Sequence, residues 1–158
     1  KAQEGEKNAF GEIYSLFYKK IYRFIYYLIF DKDQAFDLTQ NTFIKLWRSL
    51  TKFSADKGSF QSYIYTIARN LVIDESRKKK ESLLNENLEI AYDDNFEENL
   101  DKKEAAERVH KALDDLDHEE KQIIILRYFE ELPFAQITKI LKINEGTLRV
   151  RVHRVLKN

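Results

Sequence analysis

Apolar residues recur at three- and four-residue steps along most of the chain, and few breaks separate the runs. The central run, residues 59–80, places its apolar side chains on one stripe of a predicted α-helix. The stripe consists of Phe60, Tyr63, Ile64, Ile67, Ala68, Leu71 and Val72. Ser59 suits the N-cap of this helix, and the four cations at 77–80 suit its negative C-terminal end.

Two earlier runs predict a first helix over residues 9–30 and a second over 33–50, with Asp33 as the N-cap of the second. The first helix is rich in tyrosine, and we expect these rings to be half-buried by packing rather than to bind a ligand. Together with residues 59–80, these helices form a predicted three-helix unit.

Four further helices are predicted over 102–116, 118–131, 133–141 and 145–158. Asp117 and Glu120 have the spacing of a capping box, Pro133 fits a helix start, and Asn144 is a good N-cap. The inward stripe of the helix over 118–131 is expected to be Ile124, Ile125, Tyr128 and Phe129.

Composition agrees with an all-α fold, since the 158 residues include one proline and four glycines. The absence of cysteine excludes disulfides, thiolate metal sites and cysteine nucleophiles. Arg23 interrupts the apolar run 21–30, so no membrane insertion is expected, and the polar N-terminal stretch predicts no signal peptide. We therefore expect a cytoplasmic protein that holds no cofactor.

Charge is segregated along the chain, although the net charge is zero. Residues 1–80 hold 15 basic and 9 acidic side chains, and residues 132–158 hold six basic and one acidic. Residues 81–101 hold eight acidic and no basic side chains. Such segregation predicts charged partners. The acidic segment is interpreted as a linker, which either is merely solvated or mimics nucleic acid and shields the basic modules.

The polar side of the helix over 59–80 carries groups suited to single-stranded nucleic acid, because tyrosines stack on bases while amides and cations contact base edges and phosphates. These residues are Gln61, Ser62, Tyr65, Arg69, Asn70 and Asp74. In the loop 51–58, Phe53 either packs into the core or holds an unstacked base. An ordinary bundle helix with a basic end is the alternative.

The last two predicted helices, joined by Lys142, Ile143 and Asn144, have the pattern of a helix-turn-helix. Leu148, Val152 and Val155 form the packing side of the final helix, and the opposite side presents Arg149, Val150, His153 and Arg154. In such a motif, arginine contacts guanine and an apolar side chain contacts the thymine methyl in the major groove. A short α-hairpin of an ordinary bundle is the alternative.

Three motifs in order, DLTQNTFIKLW (37–47), FQSYIYTIARNLVID (60–74) and INEGTLRVRVHRVL (143–156), resemble the extracytoplasmic-function type of sigma-70 family sigma factors. The resemblance implies two small helical domains. A three-helix, region 2-like domain would cover 1–80, an acidic linker 81–101, and a four-helix, region 4-like helix-turn-helix domain 102–158. Lys142 stands where the family has a turn glycine.

The resemblance also implies a role for each motif. The second helix would dock on the coiled coil of the RNA polymerase β′ subunit through Asp37, Leu38, Gln40, Asn41 and Phe43. The third helix and its preceding loop would capture a flipped base of the −10 element and hold the strand through Lys52, Phe53, Lys57, Phe60, Tyr63, Arg69, Asn70, Arg77 and Lys78. The −35 element would be bound by Thr147, Arg149, Val150, Arg151, His153 and Arg154.

The function implied is that of a promoter-specificity subunit without catalysis of its own. Its expected partners are core RNA polymerase, through the β′ and β subunits, promoter DNA and an anti-sigma factor. One alternative is a self-sufficient helix-turn-helix regulator, which would bind duplex DNA tightly alone. The other is an enzyme acting on nucleic acid, which the spacing of His110, His118 and His153 disfavours because it does not suit a metal site.

Overall fold

A computed structural model describes residues 7–50, 53, 59–86 and 100–157, and these residues form helices and connecting turns without any strand. The elements in chain order are α1 (Lys7–Ile29), α2 (Lys32–Ser49), α3 (Phe60–Glu86), α4 (Leu100–Asp114), α5 (His118–Ile124), a π-helical turn (Ile125–Phe129), α6 (Phe134–Leu141) and α7 (Glu145–Lys157). The expectation of an all-α fold is confirmed.

Helices α1, α2 and α3 pack on one another, which confirms the predicted three-helix unit. Burying a large apolar side chain stabilises the fold by roughly 1.5–3 kcal/mol. Fully buried residues of this core are Phe24, Ile25, Ala35, Leu46, Ile64 and Ala68. The tyrosines of α1 lie half-buried around this core, as expected from the sequence.

The N-caps of α2 and α3 differ in how well the sequence predicted them. Asp31, not Asp33, caps α2, since its Oδ1 accepts a hydrogen bond of 3.0 Å from the Gln34 amide. Helix α1 ends at Ile29, and α2 therefore begins early enough to place Asp33 in its first turn, where an acid also suits the helix dipole. The Ser59 cap of α3 is confirmed by a 3.1 Å bond from the Ser62 amide to its Oγ.

Helix α3 continues to Glu86, six residues beyond the end predicted at Lys80. Residues 81–86 contain no glycine or proline, so no helix breaker ends the helix at Lys80, and α3 is already stabilised by the packing of its earlier turns. Helix α4 begins at Leu100. The remainder of the predicted acidic linker, residues 87–99, lies outside the described residues.

The π-helical turn corrects the expected packing of the helix over 118–131. The Glu130 amide donates to the Ile125 carbonyl at 3.0 Å, which inserts one extra residue into the turn and rotates the chain that follows. Ile123 and Leu126 are consequently buried in the core, whereas Tyr128, expected to face inward, is 46% exposed. The capping box of Asp117 and Glu120 at the start of α5 is confirmed.

A short turn joins α6 to α7, and its geometry is that of a helix-turn-helix. Lys142 ends α6 with φ 56°, the left-handed conformation in which glycine is favoured. Asn144 then caps α7, its Oδ1 accepting a 2.7 Å bond from the Thr147 amide, as the sequence predicted. No helix among the described residues combines the length and apolarity needed to cross a bilayer.

Replacement of Lys142 by glycine is expected to stabilise the protein. A non-glycine residue in the left-handed conformation is strained. Removing this strain should stabilise the fold by more than glycine destabilises it through the added conformational entropy of the unfolded chain, for a net gain of about 0.5–1 kcal/mol. The measurement is the free energy of unfolding in urea for Lys142→Gly beside Lys142→Ala. The alanine variant keeps the strain and should match the wild type, so equal stability of both variants would contradict the prediction.

Candidate nucleic-acid and polymerase interfaces

One face of α7 is free of the core and carries the residues predicted to contact the −35 element. Leu148 and Val152 are buried, 0% and 7% exposed, and anchor the helix to α5 and α6. The side chains on the opposite side are exposed and form what we call the reading face: Arg149, Val150, His153 and Arg154. Val150 is 58% exposed, so an apolar side chain of this face contacts water beside cationic neighbours.

The reading face is held in place by contacts at its start. Arg149 donates to Glu145 one turn earlier at 2.7 Å, and its guanidinium lies 5.2 Å from the Phe134 ring. These contacts orient the arginine along the helix while leaving it accessible. Arg151, half-buried behind the reading face, pairs with Glu119 of α5. Thr147 is half-buried near the N-terminus of α7, where backbone amides suit a phosphate.

At the N-terminus of α3, three half-buried rings form an aromatic corner consisting of Phe53, Phe60 and Tyr63. The Phe53 ring centroid lies 5.6 Å from that of Phe60 and 5.2 Å from that of Tyr63. The Tyr63 hydroxyl donates to Ser49 Oγ at 2.7 Å, which fixes the ring against the end of α2. Two predicted −10 residues, Lys52 and Lys57, lie outside the described residues.

The middle of the polar side of α3 is covered by the C-terminal helices, which the sequence did not predict. Tyr65, placed by its spacing on an exposed nucleic-acid face, is fully buried. Arg69 is half-buried and donates from Nε to Gln122 Oε1 of α5 at 2.7 Å. Burial lowers the pKa of Arg69, and the nearby Glu119 carboxylate acts in the opposite direction. Further along α3, Asn70, Arg77 and Lys78 are exposed.

Glu130, at the end of the π-helical turn, contacts α1 and α3 together. Its carboxylate accepts two 2.9 Å bonds from Arg23 and one of 2.8 Å from the Tyr65 hydroxyl. The bond to Glu130 raises the pKa of Arg23, and burial with the Glu130 charge raises the pKa of Tyr65. Sequence reasoning missed this cluster, because no local pattern relates Arg23 to a residue 107 positions away.

The α2 residues predicted to contact polymerase lie partly on the surface and partly in the core. Leu38 and Phe43 are 5% and 3% exposed, so they support the helix from the inside and do not reach a partner. Asp37 and Asn41 are exposed, and Gln40 is half-buried with its amide bonded to the Tyr14 hydroxyl at 3.2 Å. The prediction combined buried and exposed residues of α2 because it took consecutive residues of the motif and did not separate them by the helical period.

Two exposed apolar residues lie on α2 near these polar positions, and Ile44 was missed by the sequence analysis. Ile44 is 49% and Trp47 is 39% exposed. The signal was present in the spacing, because steps of four and three residues lead from Asp37 to Asn41 and on to Ile44. We call Asp37, Asn41 and Ile44 the α2 face. An acidic group on this face repels DNA phosphates, while exposed apolar area beside it can be buried against a protein, so the face favours a protein partner over DNA.

A groove of ≈ 620 Å³ opens on the C-terminal helices between α4, α5 and α7. Its lining is mostly apolar and includes Val109, Leu116, Ile124, Tyr128 and Leu156. Tyr128 and Leu156 are 46% and 62% exposed, so the groove is accessible. Among the described residues, no cluster of histidine, aspartate and glutamate side chains could hold a metal ion.

Together, a helix-turn-helix with a cationic reading face and a separate three-helix unit with an aromatic corner define a DNA-binding protein of two helical parts. Comparison with known families agrees: residues 13–82 match Sigma-70 region 2, and residues 112–158 match Sigma-70, region 4.

Known relatives cover most of the chain. It is 31% identical over 136 residues to RNA polymerase sigma factor SigV of Bacillus subtilis, covering 86% of this chain and 80% of SigV. It is 28% identical to ECF RNA polymerase sigma factor BldN of Streptomyces coelicolor, over 99% of this chain but only 61% of BldN. The fold resembles that of CnrH, solved in complex with the cytosolic domain of CnrY, with a TM-score of 0.77, 19% identity and coverage of 99% and 88% of the two chains. The chain belongs to the extracytoplasmic-function sigma factors of the sigma-70 family.

Removal of the cap on α7 is expected to destabilise the reading face. Asn144→Ala leaves the Thr147 amide without its partner and should lower the free energy of unfolding by about 1 kcal/mol. Asn144→Asp keeps an oxygen acceptor at the same place and should retain the wild-type value. Urea titration of the two variants measures this, and equal losses in both would contradict the assigned role of the cap.

Proposed function

We propose that the chain directs promoter recognition by core RNA polymerase, with each helical part contacting a different DNA element. The observation that carries the proposal is the reading face of α7. Its four side chains are exposed on the second helix of a helix-turn-helix, which is the surface that enters a major groove. There, Arg149 and Arg154 would contact guanine edges or phosphates, and Val150 would contact a thymine methyl.

The −10 element is assigned to α3 and the residues before it. The aromatic corner supplies rings on which an extruded base could stack in place of its neighbours in the duplex. Exposed Asn70, Arg77 and Lys78 extend from the corner along the helix and suit base edges and phosphates. Unstacking a base costs a few kcal/mol, which stacking and phosphate contacts along α3 would offset. Lys52 and Lys57 retain this role as proposals from the sequence.

Core polymerase would bind the α2 face through its β′ subunit. Asp37 supplies a charge for orientation, and exposed Ile44 supplies apolar area that becomes buried on binding. We assign the apolar groove of the C-terminal helices to the β subunit, because its mostly apolar lining suits an apolar helix of a protein partner.

An anti-sigma factor is a further proposed partner, since the structurally similar sigma factor RpoE of Bartonella quintana was solved in complex with the anti-sigma factor NepR. We propose that the chain has no catalysis of its own and works in the cytoplasm with the polymerase. A self-sufficient regulator would need only the helix-turn-helix. The exposed α2 face, with its mixture of acid and apolar groups, favours a polymerase subunit over that alternative.

Arg149→Ala is expected to weaken transcription from promoters that carry the matching −35 base pair. Loss of one bidentate contact should reduce initiation about tenfold there and much less elsewhere, since each base contact is worth ~1–3 kcal/mol. The measurement is transcription in vitro with purified core polymerase on a library of promoters.

Lys157→Ala is the control for this experiment, because Lys157 is an exposed cation in the last turn of the same helix, beyond the N-terminal positions that contact bases in a helix-turn-helix. It should reduce initiation slightly and equally at all promoters. The same uniform loss for Arg149→Ala would argue against base recognition.

The double variant Asp37→Ala, Ile44→Ala is expected to bind core polymerase at least tenfold more weakly, because it removes charge and apolar area from one exposed face without disturbing the core. Glu12→Ala, which removes an exposed acid from α1, is the control. Titration of labelled protein with core polymerase measures both. Unchanged affinity of the double variant would rule out the α2 face.

A further inference from the structure

The guanidinium of Arg149 is held by two other residues of the helix-turn-helix. Its Nε and Nη2 both donate to Oε1 of Glu145, at 3.2 and 2.7 Å. Its Cζ lies over the ring of Phe134, 5.2 Å from the ring centroid. Glu145 is the first residue of α7 and Phe134 is the first residue of α6, so both helices of the motif determine where this side chain lies.

These contacts use only one edge of the guanidinium. An arginine donates from Nε, Nη1 and Nη2, and Glu145 engages the edge formed by Nε and Nη2. The other edge, formed by Nη1 and Nη2, has no acceptor among the residues that the structure describes, and 64% of the Arg149 side chain is exposed. A bidentate contact with guanine needs two parallel N–H groups of this kind.

Glu145 is an unusual residue for its position. It is the only acidic residue in 132–158, and it lies at the end of α7 whose residues contact base edges in a helix-turn-helix. A carboxylate there repels the phosphates of the duplex. The charge suits the positive N-terminal end of the helix, and a glutamate four residues before an arginine is the favourable order for a pair. Its position is therefore explained by helix stability, by its contact with Arg149, or by both.

The contact changes which partners Arg149 prefers. An exposed arginine without a fixed orientation can pair with any phosphate of the backbone, and such contacts carry no sequence information. A phosphate that approaches Arg149 meets the Glu145 carboxylate, which it has to replace and which repels it. A guanine edge is neutral and can be contacted while the carboxylate stays in place. The pair thus favours base edges over phosphates.

A second arginine makes the carboxylate more useful. Arg127 Cζ lies 4.4 Å from the centroid of the same Phe134 ring, and Arg127 Nη1 donates to the Leu132 carbonyl at 3.1 Å. Two guanidinium groups beside one ring repel each other, and a carboxylate bound to one of them reduces this repulsion. Glu145 therefore helps to keep Arg149 over Phe134 in the presence of the neighbouring cation.

We propose that Glu145 is a specificity-determining residue, which positions Arg149 so that its Nη1–Nη2 edge is presented to a base pair and withheld from phosphates. Phe134 supports the same orientation from the side of α6. This inference rests on the proposed function for the base contact of Arg149, but the contact between Glu145 and Arg149 in the free protein does not depend on it.

The first test is transcription in vitro with core polymerase and the full chain on the promoter library. The quantity measured is the preference for the −35 base pair at which Arg149→Ala has its largest effect, as the ratio of initiation with and without that base pair. Glu145→Ala should reduce this preference about threefold, the size expected for an exposed ion pair. The reduction should come mainly from increased initiation at promoters that lack the base pair.

Two further variants separate positioning from other effects of the charge. Glu145→Asp keeps a carboxylate in the first turn of α7, so the free energy of unfolding should stay at the wild-type value. Its shorter side chain withdraws the oxygen from Arg149, so the preference should fall as it does for Glu145→Ala. Glu107→Ala removes an exposed acid from α4, outside the helix-turn-helix, and should leave the preference unchanged.

The second test is the mobility of the Arg149 side chain in the free protein, measured by ¹⁵N relaxation of its Nε–H group. The signal is assigned by its absence in Arg149→Lys. In the wild type, the group should be as ordered as the backbone of α7, because Glu145 holds it. In Glu145→Ala and Glu145→Asp, it should become mobile on the ps–ns timescale.

The two tests separate this inference from the proposed function. A mobile Nε–H group in the wild type, or an unchanged preference in Glu145→Ala, would overturn the role of Glu145 and leave the base contact of Arg149 intact. An unchanged preference in Glu145→Asp alone would assign the effect to the stability of α7 and would also overturn it. Equal loss at all promoters for Arg149→Ala would count against the base contact and therefore against both proposals.

Discussion

Helix α3 is covered on two sides by two different kinds of interaction, and the rest of the molecule depends on this difference. Its apolar stripe, with Ile64 and Ala68 fully buried, packs against α1 and α2. Its other side packs on α6 and makes polar contacts with the C-terminal helices through Tyr65, Arg69 and the buried carboxylate of Glu130. The first interaction defines the three-helix unit, and the second determines which side chains of α3 remain exposed.

Much of the fold could be predicted from the sequence, because helices are recorded in local patterns. The spacing of apolar residues gave all seven helices to within a few residues, and the caps of Ser59, Asp117 and Asn144 are present as predicted. The end of α3 and the π-helical turn were missed for different reasons. Residues 81–86 contain no helix breaker, so the run of cations did not end α3, whereas the extra residue of the π-helical turn rotated Tyr128 out of the core.

For the candidate sites, the structure shows which of the predicted residues are exposed, and on α7 this agrees with the helical period. The reading face of α7 follows from its own periodicity, and its residues are exposed as expected. On α2, a motif was transferred without regard to the helical period, so buried Leu38 and Phe43 were included and exposed Ile44 was omitted. The Glu130 cluster joins Glu130 to Tyr65 and Arg23, which are 65 and 107 positions away in the sequence. No pattern in a single sequence pairs residues so far apart.

The polar contacts between α3 and the C-terminal helices determine which donors of α3 remain available. Arg69 donates to Gln122 and the Tyr65 hydroxyl donates to Glu130, so both donors are already satisfied within the chain. Separating the buried Arg23–Glu130 pair would leave a charge without its partner, which has a large unfavourable free energy in a protein interior. Asn70, Arg77 and Lys78 are exposed, so the nucleic-acid surface that we propose on α3 depends on these residues and the aromatic corner more than on Tyr65 and Arg69.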